Sequence, residues 1–205
     1  MVTFGGDGGG LKDLLGCAVI GRERGTRHWL CWSHAWCHPK VLKEYPAIEQ
    51  HLRDFEQEGS LTICDVTGDI KGLGDIFGEV LASGLLPGKD AVALDPNNVA
   101  ALIEELTARG MTDDMLRRLL QGPALSPAWW GIERKLSDST FFHSGLDLMS
   151  WSVSNAKVEP KGNGIMITKQ VSGRAKIDPV IAMGQAAILM SWNPAAAADV
   201  SAMIV

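Results

Sequence analysis

The sequence predicts a mixed α/β domain in which an antiparallel meander of three strands opens the chain and strands alternating with helices follow. Three observations carry this prediction. Residues 2–36 hold three apolar or aromatic runs with short polar or glycine-rich connections. Residues 91–94, Ala-Val-Ala-Leu, form a short apolar run of the kind that buried parallel strands show. Elsewhere, apolar residues recur at helical spacing between proline starts and glycine stops.

Each element follows in order. A first run ends at Asp7, before Gly8-Gly9-Gly10; the second covers residues 14–20; the third covers 27–36 with aromatic and β-branching bias. From Pro39, Val41, Leu42, Tyr45, Ile48, Leu52 and Phe55 repeat at helical spacing. Pro46 should bend or split that helix and Gly59 should end it. Residues 61–64 suit a short strand and 69–84 a helix with Ile70, Leu73, Ile76, Phe77 and Val80 on one side. Asp95-Pro96 should open a helix that Gly110 closes. Residues 115–120 fit either a helix or a buried strand. Pro127 starts a helix reaching Leu136, and residues 146–155 form another. Residues 157–169 read as a hairpin turning at Gly162-Asn163-Gly164, and Asp178-Pro179 begins the last helix. Residues 1–193 are expected to form one domain, with 194–205 a disordered tail.

At 205 residues, 46% hydrophobic and 21% charged, the chain can bury an ordinary core. Its N-terminus lacks a charged segment leading into an apolar one, and its most apolar late stretch, residues 179–192, is broken by Gly184, Gln185 and Ser191. A cytoplasmic protein without membrane contact and with Cys17, Cys31, Cys37 and Cys64 reduced is therefore expected. The net charge of −5 argues against nucleic-acid binding through overall charge. Any DNA surface must be local. The candidate is the run of Lys157, Lys161, Lys169, Arg174 and Lys176, opposed only by Glu159; a solvated basic hairpin explains the same pattern.

Three aspartates stand out by position: Asp7 after the first strand, Asp95 after a central strand and Asp178 at the first turn of the last helix. Ligands collect beyond the carboxyl ends of strands, so Asp7 and Asp95 on adjacent strands would share a cleft that Asp178 reaches from its helix. Hard divalent cations prefer carboxylate oxygens, and two ions together can drive phosphodiester hydrolysis without a His or Cys nucleophile. Helix capping is the competing explanation, because both Asp95 and Asp178 precede proline. Cys31, His34, Cys37 and His38 invite a zinc reading, but no Cys-x-x-Cys pair exists and strand alternation would separate Cys31 from His34.

The segment Val2-Thr3-Phe4-Gly5-Gly6-Asp7-Gly8-Gly9-Gly10-Leu11-Lys12-Asp13-Leu14-Leu15-Gly16, followed by Trp32-Ser33-His34-Ala35-Trp36, resembles the start of a tailed-phage large terminase nuclease domain. Further matches are Leu94-Asp95-Pro96, Glu133-Arg134-Lys135-Leu136, Asn155-Ala156-Lys157-Val158, Ile165-Met166-Ile167-Thr168-Lys169 and Lys176-Ile177-Asp178-Pro179. They run in family order over residues 2–193. The resemblance implies an RNase H-like fold, a strand at residues 115–120, and Asp7, Asp95 and Asp178 as a catalytic triad holding two Mg²⁺ or Mn²⁺ ions. It places Asp13, His143 and Lys176 where they would support the acids or contact phosphate. The implied activity is endonucleolytic cutting of concatemeric double-stranded DNA during genome packaging. Implied partners are a motor ATPase domain, a small terminase subunit and the portal.

The chain has no Gly-x-x-x-x-Gly-Lys-Ser/Thr phosphate loop, so the motor is expected elsewhere. An excised domain and a truncated prophage gene product both fit. Asp-Gly-Gly-Gly after a strand also occurs in the sugar-kinase and chaperone ATPase superfamily, but that class needs a second lobe with its own phosphate loop. A catalytically inactive docking module of the packaging machinery is the alternative from another class.

Overall fold

The three apolar and aromatic runs of the first 37 residues form the expected meander: β1 (Val2–Gly8), β2 (Leu14–Arg22) and β3 (Trp29–Cys37), the first two buried almost continuously. Its ladders are antiparallel and continuous, with Asp7 opposite Gly16 and Gly16 opposite Ala35. The structure, a computed structural model, describes residues 1–97, 99–170 and 174–197. Pro46 splits the next helix, leaving α1 (Pro39–Glu44), a 3₁₀ turn at Pro46–Ile48 and α2 (Glu49–Glu58). Gly59 stops α2 at a φ of 86°, a left-handed conformation that glycine adopts without steric cost.

Parallel strands then extend the meander on both sides. β4 (Leu61–Ile63) joins β3; after α3 (Gly68–Ala82), β5 (Val92–Leu94) joins β1. α4 (Ala100–Ala108) leads to β6 (Leu116–Arg118), which joins β5, so the strand implied for residues 115–120 forms as a three-residue segment. α5 (Ser126–Ser137) leads to β7 (Phe141–His143), a second parallel partner of β3 that local patterning does not reveal. The sheet order is β4-β3-β2-β1-β5-β6, with β7 also paired to β3. α6 (Asp147–Ser154) precedes a separate hairpin, β8 (Ala156–Lys161) with β9 (Gly164–Lys169), and α7 (Asp178–Ser191) follows.

The helix expected at Asp95-Pro96 begins instead at Ala100. Asp95 does not cap it: the Asp95 carboxylate takes the backbone N–H of Asn97 at 2.8 Å, and this local turn delays the helix. Of residues 194–205, expected as a disordered tail, the Pro194 carbonyl accepts from the Arg22 guanidinium and the Ala197 N–H donates to the Leu86 carbonyl, and 198–205 lie outside the described residues. No helix among the described residues is long and apolar enough to cross a membrane.

The sheet separates two apolar layers. Phe4, Leu73, Phe77 and Leu106 pack under α3 and α4; Ile20, Val180 and Ile188 pack beneath α5 and α7. α7 is buried on all sides from Asp178 to Met190, which explains its lack of a polar face. It reaches the sheet because Gly5 lacks a side chain: a Cβ there would lie 2.1 Å from the Ala182 carbonyl oxygen. Gly5→Ala should therefore lower stability by about 1–3 kcal/mol through overpacking. Gly131→Ala, in α5 with nothing within 4 Å of an added Cβ, should be neutral or stabilising by up to ~1 kcal/mol. Urea denaturation midpoints check this, and equal shifts in the same direction would refute the close-packed contact.

Candidate active site

β1 and β5 run side by side in parallel, with Gly6 opposite Leu94, so Asp7 and Asp95 leave the sheet together at its carboxyl edge. They are 4% and 8% exposed. Gln121, just beyond β6, spans them: its Nε2 donates to Asp7 Oδ1 at 2.8 Å and its backbone N–H to Asp95 Oδ2 at 3.3 Å. Asp95 Oδ1 also accepts from Asn97 Nδ2 at 2.7 Å. A cleft of about 360 Å³ opens here, lined by Asp7, Gly8, Gly9, Asp13, Asp95 and Gln121 among others.

Asp178 does not line the open cleft; it lies against its glycine wall. A Cβ on Gly8 would stand 2.5 Å from Asp178 Oδ1, and one on Gly16 would stand 2.5 Å from the Asp178 carbonyl carbon. Gly8 also holds a φ of 86°. Asp178 is 3% exposed, and its Oδ2 has no hydrogen-bond partner. A buried ionised carboxylate left in that state is costly. As the side chains stand, no three His, Cys, Asp or Glu among the described residues converge closely enough to ligate one ion.

The electrostatics follow from this burial. Desolvation, with the neighbouring charges of Asp95 and Asp13, pushes Asp7 up to about 7 despite the Gln121 hydrogen bond and Lys169. Burial, then Asp13 and Asp7, raises Asp178 well above the usual carboxylate range. Asp13 behaves oppositely: burial would raise it, but Lys176 at 2.8 Å and Lys169 at 3.0 Å outweigh that and hold it low. Burial likewise disfavours the Lys169 cation, yet Asp178, Asp13 and Asp7 prevail and raise its pKa.

The other sequence candidates divide by place. Lys176 is 2% exposed, bound to Asp13 and the Lys12 carbonyl and set over the Tyr45 ring, so it supports the site and is withdrawn from any DNA surface. Lys157 and Lys161 are exposed on β8, where Lys157 pairs with Glu159 at 3.0 Å, and Arg174 is exposed beside α6. The hairpin is pinned at both ends of β9. Ile165 exchanges hydrogen bonds with the Ser126 hydroxyl, and Lys169 reaches Asp13. His143 is set apart: through Cys31 and Ile20 it stands on the ladder row of Thr3, four residues from Asp7 and three strands across. His34 meets Thr62 between two tryptophan rings, and His38 caps α1.

Two glutamines escaped the sequence reading. Gln121 has no local signal. Gln185, fully buried, is visible in the sequence only as a polar interruption of an apolar helix. With its amide oriented to suit its neighbours, it donates to the carbonyls of Gly6 (2.6 Å) and Ala93 (3.2 Å) and accepts from Asp95 N–H (3.2 Å). It therefore ties the helix of Asp178 to the strand ends of Asp7 and Asp95.

A meander with parallel strands on both flanks, a buried helix across it and an acidic cleft at its carboxyl edge define a class of α/β domain with nuclease-like architecture. The family of terminase large subunit endonuclease domains matches residues 48–193, and this chain belongs to that family. The crystal structure of the HK97 bacteriophage large terminase superposes with a TM-score of 0.69 at 19% identity, over 91% of this chain and 38% of that one. This chain thus spans well under half of that protein. The large terminase nuclease of thermophilic phage G20c superposes with a TM-score of 0.50 at 13% identity, over 91% of this chain and 80% of that one. Its magnesium-bound structure gives 0.49 at 12% identity, over 92% and 80%. No curated protein matches. The fold is RNase H-like, as the resemblance implied.

Asp7 and Asp178 are protonated in the folded protein at pH values where the unfolded chain, near 3.8, has released those protons. The folded state binds more protons in that window, so their contribution is greatest below pH 3.8 and is lost as pH rises toward 7 and beyond. Asp13 acts in the opposite sense, but only at lower pH. In EDTA, the wild-type melting temperature should fall from pH 4.5 to 7.5 relative to Asp7→Asn, which should melt several degrees higher at the upper end. Parallel curves for the two proteins would contradict the assignment.

Proposed function

We propose that this domain is a divalent-metal-dependent endodeoxyribonuclease that cuts concatemeric double-stranded phage DNA during genome packaging. The observation that carries the reading is Asp178 Oδ2: a fully buried carboxylate oxygen without a partner, beside an Asp7 that burial holds near neutrality. Carboxylates in that state suit a hard cation, which replaces their protons and relieves their repulsion. Asp7, Asp95 and Asp178 would hold two Mg²⁺ or Mn²⁺ ions. Bound there, the ions would supply the Lewis acidity that turns water into a nucleophile and stabilises the leaving oxygen.

The chain's own residues do the rest. Gln121 bridges the two acids, donating from its side chain to Asp7 Oδ1 and from its backbone to Asp95 Oδ2, and so fixes their spacing at the cleft. Asp13 holds Lys169 and Lys176 in ion pairs next to the acids, which limits the charge that metal and phosphate must balance. Exposed Lys157 and Lys161 on the pinned hairpin present a local positive edge to the DNA backbone on an otherwise acidic protein. A motor ATPase domain, a small terminase subunit and the portal would direct the cut in the assembled machine.

With Mn²⁺ or Mg²⁺ the isolated domain should nick and then linearise plasmid DNA with little sequence preference, without ATP. Asp7→Asn, Asp95→Asn and Asp178→Asn should each abolish cutting rather than trim it, because the three act as a unit. Lys157→Glu with Lys161→Glu should weaken duplex binding and make its salt dependence shallower. Agarose-gel kinetics decide the matter. Folded wild-type protein that cuts no better than Asp7→Asn would replace this reading with the inactive docking module.

A further inference from the structure

At the opposite end of the sheet, three cations face one small cavity of about 180 Å³: Arg22 at the end of β2, Arg27 in the β2–β3 connection and Lys135 near the end of α5. Ser191 and Asn193, at the end of α7, complete the wall. The place is distinct from the acidic cleft. Gly21, next to Arg22, pairs with Val2, five residues along β1 from Asp7, or roughly 17 Å at the rise of an antiparallel strand.

Among the described residues, none of the three cations is ion-paired to a carboxylate. Arg22 Nη1 and Arg27 Nη2 both donate to one neutral oxygen, Asn193 Oδ1, at 2.7 and 2.5 Å, and Arg22 Nη2 donates to the Pro194 carbonyl at 2.8 Å. Lys135 Nζ rests over the Trp29 ring at 4.9 Å. Asp138, the acid whose charge favours the Lys135 cation, is itself shared with Arg134 at 3.7 Å. Burial and then the neighbouring guanidiniums lower the pKa values of Arg22 and Lys135, so the group is electrostatically unsatisfied.

Helix dipoles do not account for the cluster. α5 and α7 both end here, and each C-terminus contributes about half a negative charge, so roughly two positive charges remain after the dipoles are counted. A single carboxylate would still leave an excess. Inorganic phosphate or a phosphate monoester, with about one and a half to two negative charges, matches it in charge; adjacent phosphodiesters of a nucleic-acid backbone bring one charge each, and the paired guanidinium forks suit the oxygens of either.

We infer that this cavity is a binding site for a phosphate group, with Arg22, Arg27 and Lys135 as the charged contacts and Asn193 as a neutral donor, while the Ser191 hydroxyl, which donates to the Ile188 carbonyl at 2.6 Å, only lines the wall. Asn193 Oδ1 occupies the place of a ligand oxygen, and rotation of its amide presents Nδ2 instead. The phosphate comes either from a nucleic-acid backbone or from a free phosphate compound, which share the same chemistry. The site is independent of the nuclease reading.

The test measures inorganic phosphate binding by calorimetry at low salt, and duplex DNA binding across a salt series, for wild type, Arg27→Gln and Lys135→Met. The methionine keeps the packing over Trp29, and matching melting temperatures exclude misfolding. Phosphate should bind wild type and weaken about tenfold in each variant, the loss of one charge-assisted contact. A duplex salt slope shallower by about one unit per variant assigns the site to the DNA backbone. An unchanged duplex slope assigns it to free phosphate compounds. Wild type that binds no phosphate, or variants that bind it as well as wild type, would overturn the proposal.

Discussion

The approach of α7 to the meander is the contact on which the rest depends. A helix whose backbone touches two strands needs those strands to lack side chains at the crossing, and Gly5, Gly8 and Gly16 provide that. At Gly5 the neighbour is helix backbone, which cannot swing aside as the end of a flexible side chain would. The result is more than tight packing. Asp178 begins this helix, so the glycine-lined crossing carries a carboxylate to the edge where Asp7 and Asp95 already emerge.

That arrangement creates an electrostatic conflict, and the surrounding structure answers only part of it. Asp95 is satisfied by Asn97 and the Gln121 backbone, and Asp13 is satisfied by two lysines. Asp7 keeps one side-chain hydrogen bond, while Asp178 keeps an orphaned oxygen. Gln185 makes the conflict hard to relax. Its hydrogen bonds to Gly6, Ala93 and Asp95 lock the helix to both strand ends, so the acids cannot drift apart without breaking a buried polar network. That confinement of unsatisfied carboxylates is what the proposed cation site rests on.

Much of this was legible in the sequence. The meander, the strand before Asp95 and the hairpin announce themselves through apolar runs and turn residues, and the three acids through their places at element ends. What stayed hidden was long-range. β7 is three residues, too short to signal a strand locally, that pair with β3 beside the stretch β4 takes. Lys176 counted as surface charge because its partner, Asp13, lies at the other end of the chain. The helix after Asp95 was placed too early because the same Asp-Pro signal serves a cap or a local turn, and Asn97 decides for the turn. His143 followed from resemblance alone, and the register sets it far from the acids. The face that α7 turns to the sheet is illegible for a related reason: a helix buried all round has no polar stripe to mark its orientation.

The central claim is that α7 brings a third buried carboxylate to a pair at the strand ends and so builds a cation site. Calorimetric titration of Mn²⁺ near pH 6.5, in two buffers of different ionisation enthalpy, tests it most directly. Binding should release protons, because Asp7 and Asp178 hold them in the free protein, and Asp178→Asn should reduce both the affinity and the proton release. Binding without proton release, or identical titrations for wild type and Asp178→Asn, would contradict the account.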